Sequence, residues 1–496
     1  MIYVDSFPGL LSVCLLAGMA SAAERPNVLL LYIDDLKPMT RDYGHPHMVT
    51  PNFDRLAAGG TRFESAYCQI PTCGASRGSL MTSLYPTRER FKNFKIWAER
   101  DAPDAPTLPQ RFREAGYVTI SNGKVFHHQA DTNDRSWSEP AWRPKTTGRT
   151  YWNEETAAFL RTSTFFKGGQ APPKKKKNGK VKKAEKKLPM FEKSEIDPLL
   201  AHDGLIAAKT MSDLERLAAG DKPFFIACGF AKPHMPFYAP RESWEYYTLS
   251  EVALAEHRRP PLPTPGTYRN VREQFAYEPM THDFTRPLPY NSDGYHEHMR
   301  QGYYACVTFV DGLVGHILEK LDKLSLADDT IVVTVGDHGW LLGEHDEWAK
   351  NQLLHEAVRT AMWMRGPGIA RGAEADTFVE FVDIHPTLCG LAGIPYDAKS
   401  IHGREFTAVL KEPGSEYRTH AYTRFDAGDA VATKDYFFVR YESSAHGLEY
   451  LLVDRDTDPD HQHNVAADAS YATVVGELDD LTLSKIETAS GLSVSR

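Results

Sequence analysis

Continuous apolar segments alternate with segments of helical period through the first three quarters of the chain. The apolar runs at 27–33, 224–230 and 330–335 are typical of strands that are buried on both faces. Helix signals between the strands predict helices at 51–60, 76–84, 107–116, 197–219 and 300–324, and a further strand is predicted at 117–120. This alternation predicts an α/β fold with a mixed, mostly parallel sheet sandwiched by helices.

The pattern changes after about residue 395. Two loosely alternating segments, 436–441 and 448–453, flank a turn sequence and predict an antiparallel hairpin, and a terminal helix is expected from about Tyr471. We therefore expect a main domain at 23–395 and a smaller C-terminal α+β domain with an antiparallel sheet at 396–496.

Polar residues follow directly where the predicted strands end. These residues are Asp34 and Asp35, Lys124, His234, and Asp337 with His338. In open α/β sheets, ligands bind at the carboxyl edge of the strands. Two adjacent buried aspartates repel each other unless a cation lies between them, and hard divalent cations prefer oxygen ligands. An Asp-Asp pair often caps a helix or lies in a solvated turn instead, but the position at a strand end favours a cation site.

Composition and charge exclude several classes of protein. The chain has 496 residues, 42% of them hydrophobic and 25% charged, which is ordinary for a globular protein. The net charge of −9 argues against a nucleic-acid-binding protein, which would carry a basic surface. Six cysteines are too few for a disulfide-based scaffold.

The first 22 residues are interpreted as a signal peptide. An apolar run at 10–20 precedes Ala20-Ser21-Ala22, a small-x-small cleavage site, and the run is too short to span a membrane. No Lys or Arg precedes it, so a buried N-terminal segment is the alternative. No other segment is long and apolar enough to span a membrane, and no Asn-x-Ser/Thr acceptor is present. We expect a secreted or periplasmic bacterial protein.

Residues 171–187 form an insertion that holds nine lysines and one glutamate. The first interpretation is a disordered surface segment. The second is a tether that attracts a sulfated or carboxylated glycan by long-range electrostatics.

Cys73 lies in the sequence Pro-Thr-Cys-Gly-Ala-Ser-Arg77, of which we expect Pro-Thr-Cys-Gly to form a turn ahead of the helix at 76–84. A single cysteine is most often a small buried side chain. Here, however, the spacing Cys-x-Ala-x-Arg is similar to the maturation signature of the type I sulfatases, in which the cysteine is oxidised to formylglycine. Ala75 stands where proline is commoner, and Ser83 stands where glycine is usual.

The resemblance extends over residues 25–370. Gly-Lys-Val-Phe-His at 123–127, Lys-Pro-His-Met-Pro-Phe at 232–237 and the long segment 336–350 resemble the iduronate-2-sulfatase-like branch. On these motifs the chain is identified as a member of the sulfatase family. The resemblance implies an alkaline-phosphatase-like fold and a sulfated carbohydrate substrate. It also implies, as a partner, a formylglycine-generating or radical sulfatase-maturing enzyme.

The same resemblance implies a role for each matched residue. Ca²⁺ would be held by Asp34, Asp35, Asp337, His338 and the modified Cys73. The hydrated aldehyde at residue 73 would attack sulfur, with Arg77 stabilising it and His127 taking a proton from it. Lys124 and Lys350 would pair with the sulfate oxygens, and His234 would donate a proton to the leaving oxygen.

Two other functions stay open on the sequence. A phosphoester hydrolase of the alkaline phosphatase superfamily would need a Ser or Thr nucleophile, which the Cys73 motif speaks against. A catalytically inactive protein could bind sulfated glycans through the lysine-rich insertion. Segments 91–97 and 262–295 and the C-terminal domain are expected to shape the pocket, but they do not reveal which sugar it accepts.

Overall fold

The computed structural model describes residues 25–162, 187–268, 273–282 and 286–491. The predicted signal peptide and all but the last residue of the lysine-rich insertion lie outside these residues. None of the described helices is both long and apolar enough to cross a membrane.

The larger sheet of the described chain has eight strands. They are β1 Asn27–Asp34, β2 Thr61–Tyr67, β3 Val118–Gly123, β4 Phe224–Pro233, β5 Thr330–Gly336, β6 Arg359–Thr360, β7 Met362–Arg365 and β8 Ala373–Glu380. Their order is β6-β2-β7-β5-β1-β4-β3, with β8 pairing in parallel with β2. Strand β1 runs parallel to both β4 and β5, and β3 runs parallel to β4. The antiparallel strand β7 makes the sheet mixed, as predicted.

Helices cover both faces of this sheet. The α-helices are α1 Pro51–Gly59, α2 Cys73–Thr82, α3 Ala98–Asp101, α4 Leu108–Glu114, α5 Asn133–Ser136, α6 Glu154–Thr162, α7 His202–Ala218, α8 Arg241–Glu245, α9 Asp293–Lys323, α10 His355–Val358, α11 Phe381–Leu391, α12 Thr407–Lys411 and α13 Ala472–Gly491. Alternate β1 residues belong to different cores, with Leu30 against α2, α4 and α11 and Leu31 against α1, α7 and α9. Burial on both faces explains why this strand is a continuous apolar run rather than an alternating one.

The largest differences between predicted and observed helix boundaries are at the starts of α9 and α7. Helix α9 begins seven positions before the predicted start at 300, because the Ser292 side chain caps it by accepting a hydrogen bond from the N–H of Tyr295 at 3.2 Å. The helix predicted at 197–219 is instead a 3₁₀ turn at Pro198–Leu200 followed by α7.

A four-stranded antiparallel sheet occupies the C-terminal region. Its strands are β9 His420–Phe425, β10 Gly428–Thr433, β11 Tyr436–Ser443 and β12 Gly447–Asp454, paired in chain order. The predicted hairpin is confirmed as β11 and β12. Phe437 on one face joins the α2-side core of the large sheet, whereas Phe438 on the other face packs with α13. The predicted domain boundary at 395 stays a prediction, and this shared core crosses it.

Three smaller sheets of two strands each complete the described strands. They pair Leu188–Pro189 with Tyr277–Glu278, Phe191–Ser194 with Phe237–Pro240, and Leu341–Leu342 with Trp348–Ala349.

A buried ion-pair cluster joins the C-terminal region to the large sheet. Arg418, just before β9, pairs with Glu380 at 3.2 Å and with Asp383 at 2.6 Å. Both carboxylates are fully buried, so this guanidinium supplies most of the charge that compensates them.

Replacing Arg418 by methionine should lower the free energy of unfolding by about 3–5 kcal/mol, because two buried carboxylates lose their partner. Urea unfolding of the variant measures this change. The control is Arg371→Met, which removes an exposed pair with Asp328 and should cost under ~1 kcal/mol. If both variants lost an equally small amount of unfolding free energy, Arg418 would not be the group that compensates the two buried carboxylates.

Candidate active site

The carboxyl ends of four parallel strands bring the predicted residues together. Strand β1 ends at Asp34, β3 is followed by Lys124, β4 by His234, and β5 by Asp337 and His338. Asp35 follows Asp34 in a left-handed conformation with φ of 63°, and its N–H donates to Asp337 Oδ1 at 2.9 Å. All ten residues predicted for the site lie within this region of the fold.

Three carboxylates are withdrawn from water here, since Asp34, Asp35 and Asp337 are at most 1% exposed. Burial raises the pKa of Asp35 and of Asp337. For Asp34, burial acts in the same direction, but Lys124, His234 and Arg77 outweigh it and lower its pKa.

Three cations compensate these carboxylates. Arg77 is fully buried and contacts Asp337 at 2.9 Å and Asp34 at 3.3 Å. Lys124 donates to Asp34, and Lys350 donates to Asp35 at 2.8 Å. Burial opposes the charge on each lysine, but the neighbouring carboxylate prevails and raises its pKa, so both stay protonated. Arg77 also lies 4.3 Å from the ring centroid of Tyr32.

One atom each of Asp34, Cys73, Asp337 and His338 lies within 4.8 Å of the others. His338 Nδ1 is 2.8 Å from the carbonyl of Gly339, so Nδ1–H donates there and Nε2 keeps its lone pair. Nε2 faces Asp35 and Asp337 oxygens at 3.4 Å each. Within the described chain, this Nε2 and Asp35 Oδ2 are buried without a hydrogen-bond partner. Buried acceptors that face one another in this way fit a bound cation.

Cys73 corrects one expectation, because it is the first residue of α2 rather than part of a turn before the helix. Its side chain is 5% exposed, and Sγ lies 3.5 Å from His127 Nδ1. Burial opposes ionisation, but the charge of Lys124 and the nearby His338 lower the pKa of the thiol. Gly74 is required next to it, since a Cβ there would lie 2.2 Å from the carbonyl oxygen of Phe94.

A cavity of about 700 Å³ opens above this centre. Its lining includes Cys73, Lys124, His127, His234 and Lys350, whereas Arg77 lies beneath it. Phe94, from the segment expected to shape the pocket, lines the cavity and is 46% exposed.

Glu273 lines the same cavity and was missed by the sequence analysis. Its Oε1 lies 3.1 Å from His234 Nε2 and 3.3 Å from Lys350 Nζ. Lys350 and His234 lower the pKa of this carboxyl against the effect of burial. The residue belongs to the 262–295 loop, where no periodic pattern singles out one acidic side chain.

The sequence matches two family descriptions. Residues 26–394 match "Sulfatase", and residues 343–488 match "N-sulphoglucosamine sulphohydrolase, C-terminal". Iduronate 2-sulfatase of Mus musculus is 31% identical over 423 residues, which cover 76% of this chain and 70% of the relative. A sulfatase of Formosa agariphila is 29% identical over 494 residues, which cover 95% of this chain and 90% of the relative.

Among solved structures, the phosphonate monoester hydrolase of Agrobacterium radiobacter superposes with a TM-score of 0.69. The match is 22% identical and covers 94% of this chain and 96% of that chain, which confirms the expected alkaline-phosphatase-like fold. The family match spans most of the sequence, and the mouse relative exceeds 30% identity over most of its own length. The chain therefore belongs to the sulfatase family of sulfuric ester hydrolases, as its motifs indicated.

Proposed function

We propose that this chain is a secreted sulfatase that hydrolyses sulfate esters of sulfated carbohydrates, using formylglycine made from Cys73 and a bound Ca²⁺. The observation that carries the proposal is the position of Cys73. It lies at the cavity wall between His127 and a buried cluster of carboxylates that fits a cation. The name of the mouse relative supports a sulfated sugar as substrate.

The donor set supports a divalent cation. Asp34, Asp35, Asp337, His338 and residue 73 would hold the ion, and the unpartnered atoms of Asp35 and His338 are the ones that it would satisfy. Ca²⁺ is usually bound by oxygen atoms, so the proposal that this site binds Ca²⁺ rests mainly on the three carboxylates. When bound, the ion would act as a Lewis acid toward a sulfate oxygen, and formylglycine would supply the nucleophile at residue 73.

His127 is placed to accept a proton at residue 73. Burial and the charge of Lys124 lower the pKa of His127 to about 3, so its imidazole is neutral at pH 7. A neutral imidazole 3.5 Å from the residue 73 side chain has a free lone pair for that proton.

Lys124 and Lys350 would bind the sulfate oxygens. Both are protonated, both line the cavity, and each already lies next to a carboxylate of the cation cluster. Fixed ammonium groups stabilise charge that develops on a transferring sulfuryl group without reorganising at the moment of reaction.

His234 would give its proton to the leaving oxygen. Nδ1 is 2.6 Å from the carbonyl of Met235, which leaves Nε2 facing Glu273 within the cavity. Burial and Lys350 lower the pKa of His234 to about 4, while Glu273 acts in the opposite direction. At a pKa of about 4 the imidazole is mostly neutral at pH 7, and the Glu273 carboxylate next to Nε2 raises the fraction of the protonated form that a general acid requires.

Wild-type protein should release sulfate from at least one member of a panel of sulfated oligosaccharides, once mass spectrometry shows the aldehyde on the residue 73 peptide. Cys73→Ala should lower the rate at least ~1000-fold, because the nucleophile is lost. Ion chromatography of the released sulfate is the measurement.

Cys68→Ala is the matched control for this experiment. Cys68 is a fully buried thiol in the core on the α2 side, and its removal should leave sulfate release intact. Phosphate and phosphonate monoesters belong in the same panel. Turnover of those esters alone would favour the phosphoester hydrolase, and release of nothing by aldehyde-bearing protein would favour a binding protein.

Ca²⁺ at about 100 times its Kd should stabilise the metal-stripped protein by about 2.7 kcal/mol, which raises Tm by roughly 2–3 °C. Asp337→Asn should remove this shift, because one of the buried carboxylates of the site is lost. Differential scanning calorimetry with EDTA or with Ca²⁺ measures it.

Asp311→Asn is the control, since Asp311 is a buried carboxylate that accepts hydrogen bonds from Asn52 and Phe53 away from the cluster. This variant should keep the full response to Ca²⁺. The calcium assignment fails if the two variants respond alike or if wild type does not respond.

A further inference from the structure

Four cationic side chains line the cavity, and three of them bond to partners within the protein. Lys124 pairs with Asp34, and Lys350 pairs with Asp35 and Glu273. Lys232, from the Lys-Pro-His motif, directs its ammonium group to three main-chain carbonyls, those of Gly148, His234 and Pro236. Lys232 has three N–H donors, so none is left for a ligand.

Arg149 is the fourth cation of the lining. It is exposed, and its guanidinium carbon lies 5.6 Å from the ring centroid of Tyr277. Among the residues that the structure describes, no carboxylate lies within ion-pair distance of it. A guanidinium presents a planar fork of donors that matches a carboxylate or a sulfate in two parallel hydrogen bonds.

The loop that carries Arg149 is tied to the catalytic strand end. The Gly148 carbonyl accepts from Lys232 Nζ at 2.9 Å, and the main-chain N–H of Lys232 donates to Asp203 at 2.7 Å. Thr150 N–H donates to the Thr147 carbonyl at 2.9 Å and closes the turn around Arg149. These bonds fix the position of the loop relative to His234, which lies two residues after Lys232.

We propose that Arg149 binds a second anionic group of the substrate, a carboxylate or a further sulfate, and so selects carbohydrates with at least two negative charges. This inference rests on the proposed function, because the first anionic group is the sulfate held by Lys124 and Lys350. It assigns a use to a cation that pairs with no carboxylate among the described residues. It also gives Lys232 a role, namely to hold the loop that carries the selecting residue.

Binding measured by titration calorimetry tests the proposal without requiring turnover. The protein carries Cys73→Ala, and the ligands are matched pairs. One pair is a sulfated hexuronic acid methyl glycoside and the same sugar with its carboxyl group reduced to an alcohol. The other pair is a disulfated and a monosulfated glucosamine.

The parent protein should bind the doubly charged member of at least one pair about 10- to 100-fold more tightly, as expected for a charge-assisted bidentate contact. Arg149→Gln should abolish that preference, and Arg149→Lys should restore part of it. Lys145→Gln is the matched control, because Lys145 is an exposed cation on the same loop that does not line the cavity.

Two results would overturn the proposal. One is a parent protein that prefers the doubly charged member of neither pair, and the other is an Arg149→Gln variant that keeps the preference. Sulfate release is measured separately on the wild-type background. Loss of all release with the preference intact would refute the proposed function and leave Arg149 as an anion-binding residue.

Discussion

Three carboxylates buried at neighbouring strand ends are the feature on which the rest of the site depends. An uncompensated charge in a protein interior costs several kcal/mol, so the carboxylates of Asp34, Asp35 and Asp337 can exist there only with cations next to them. Arg77, Lys124 and Lys350 supply one positive charge each, and Glu273 adds a fourth carboxylate next to Lys350, so the ionised cluster carries a net charge of −1. A divalent cation bound there would leave a net charge of +1. That charge favours an anionic ester in the cavity and an ionised group at residue 73.

The strand-end chemistry could be predicted because it is local in the sequence. Each buried apolar run predicts a strand, and the polar residue that follows it, such as Asp34 or Asp337, lies at the carboxyl edge by geometry alone. The parallel pairing of β1 with β4 and β5 then brings residues hundreds of positions apart into one site. The family motifs added Cys73 and Lys350, which no periodicity could have placed there.

The features that the sequence analysis missed depend on tertiary contacts. Glu273 acts through its distance to His234 and Lys350, and its loop has no repeating pattern that would show this. Strands β9 and β10 were overlooked because their small residues, such as Ala421 and Ala430, are buried against the large sheet rather than alternating with polar ones. The close approach of the Phe94 backbone to Gly74, next to Cys73, is a third contact of this kind, because it joins segments 20 residues apart.

The burial of residue 73 has a consequence for the order of events during synthesis. Helix α2 packs against the α11-side core and against Asp337, which Arg77 meets across 260 residues of chain. At ~5–20 residues per second, the ribosome needs roughly 13–52 s to add those 260 residues. During that interval Cys73 has emerged while the strand end that will enclose it does not yet exist. An enzyme that modified Cys73, as the proposed function requires, would therefore have a period of seconds in which the segment around this residue is accessible, before the fold buries it.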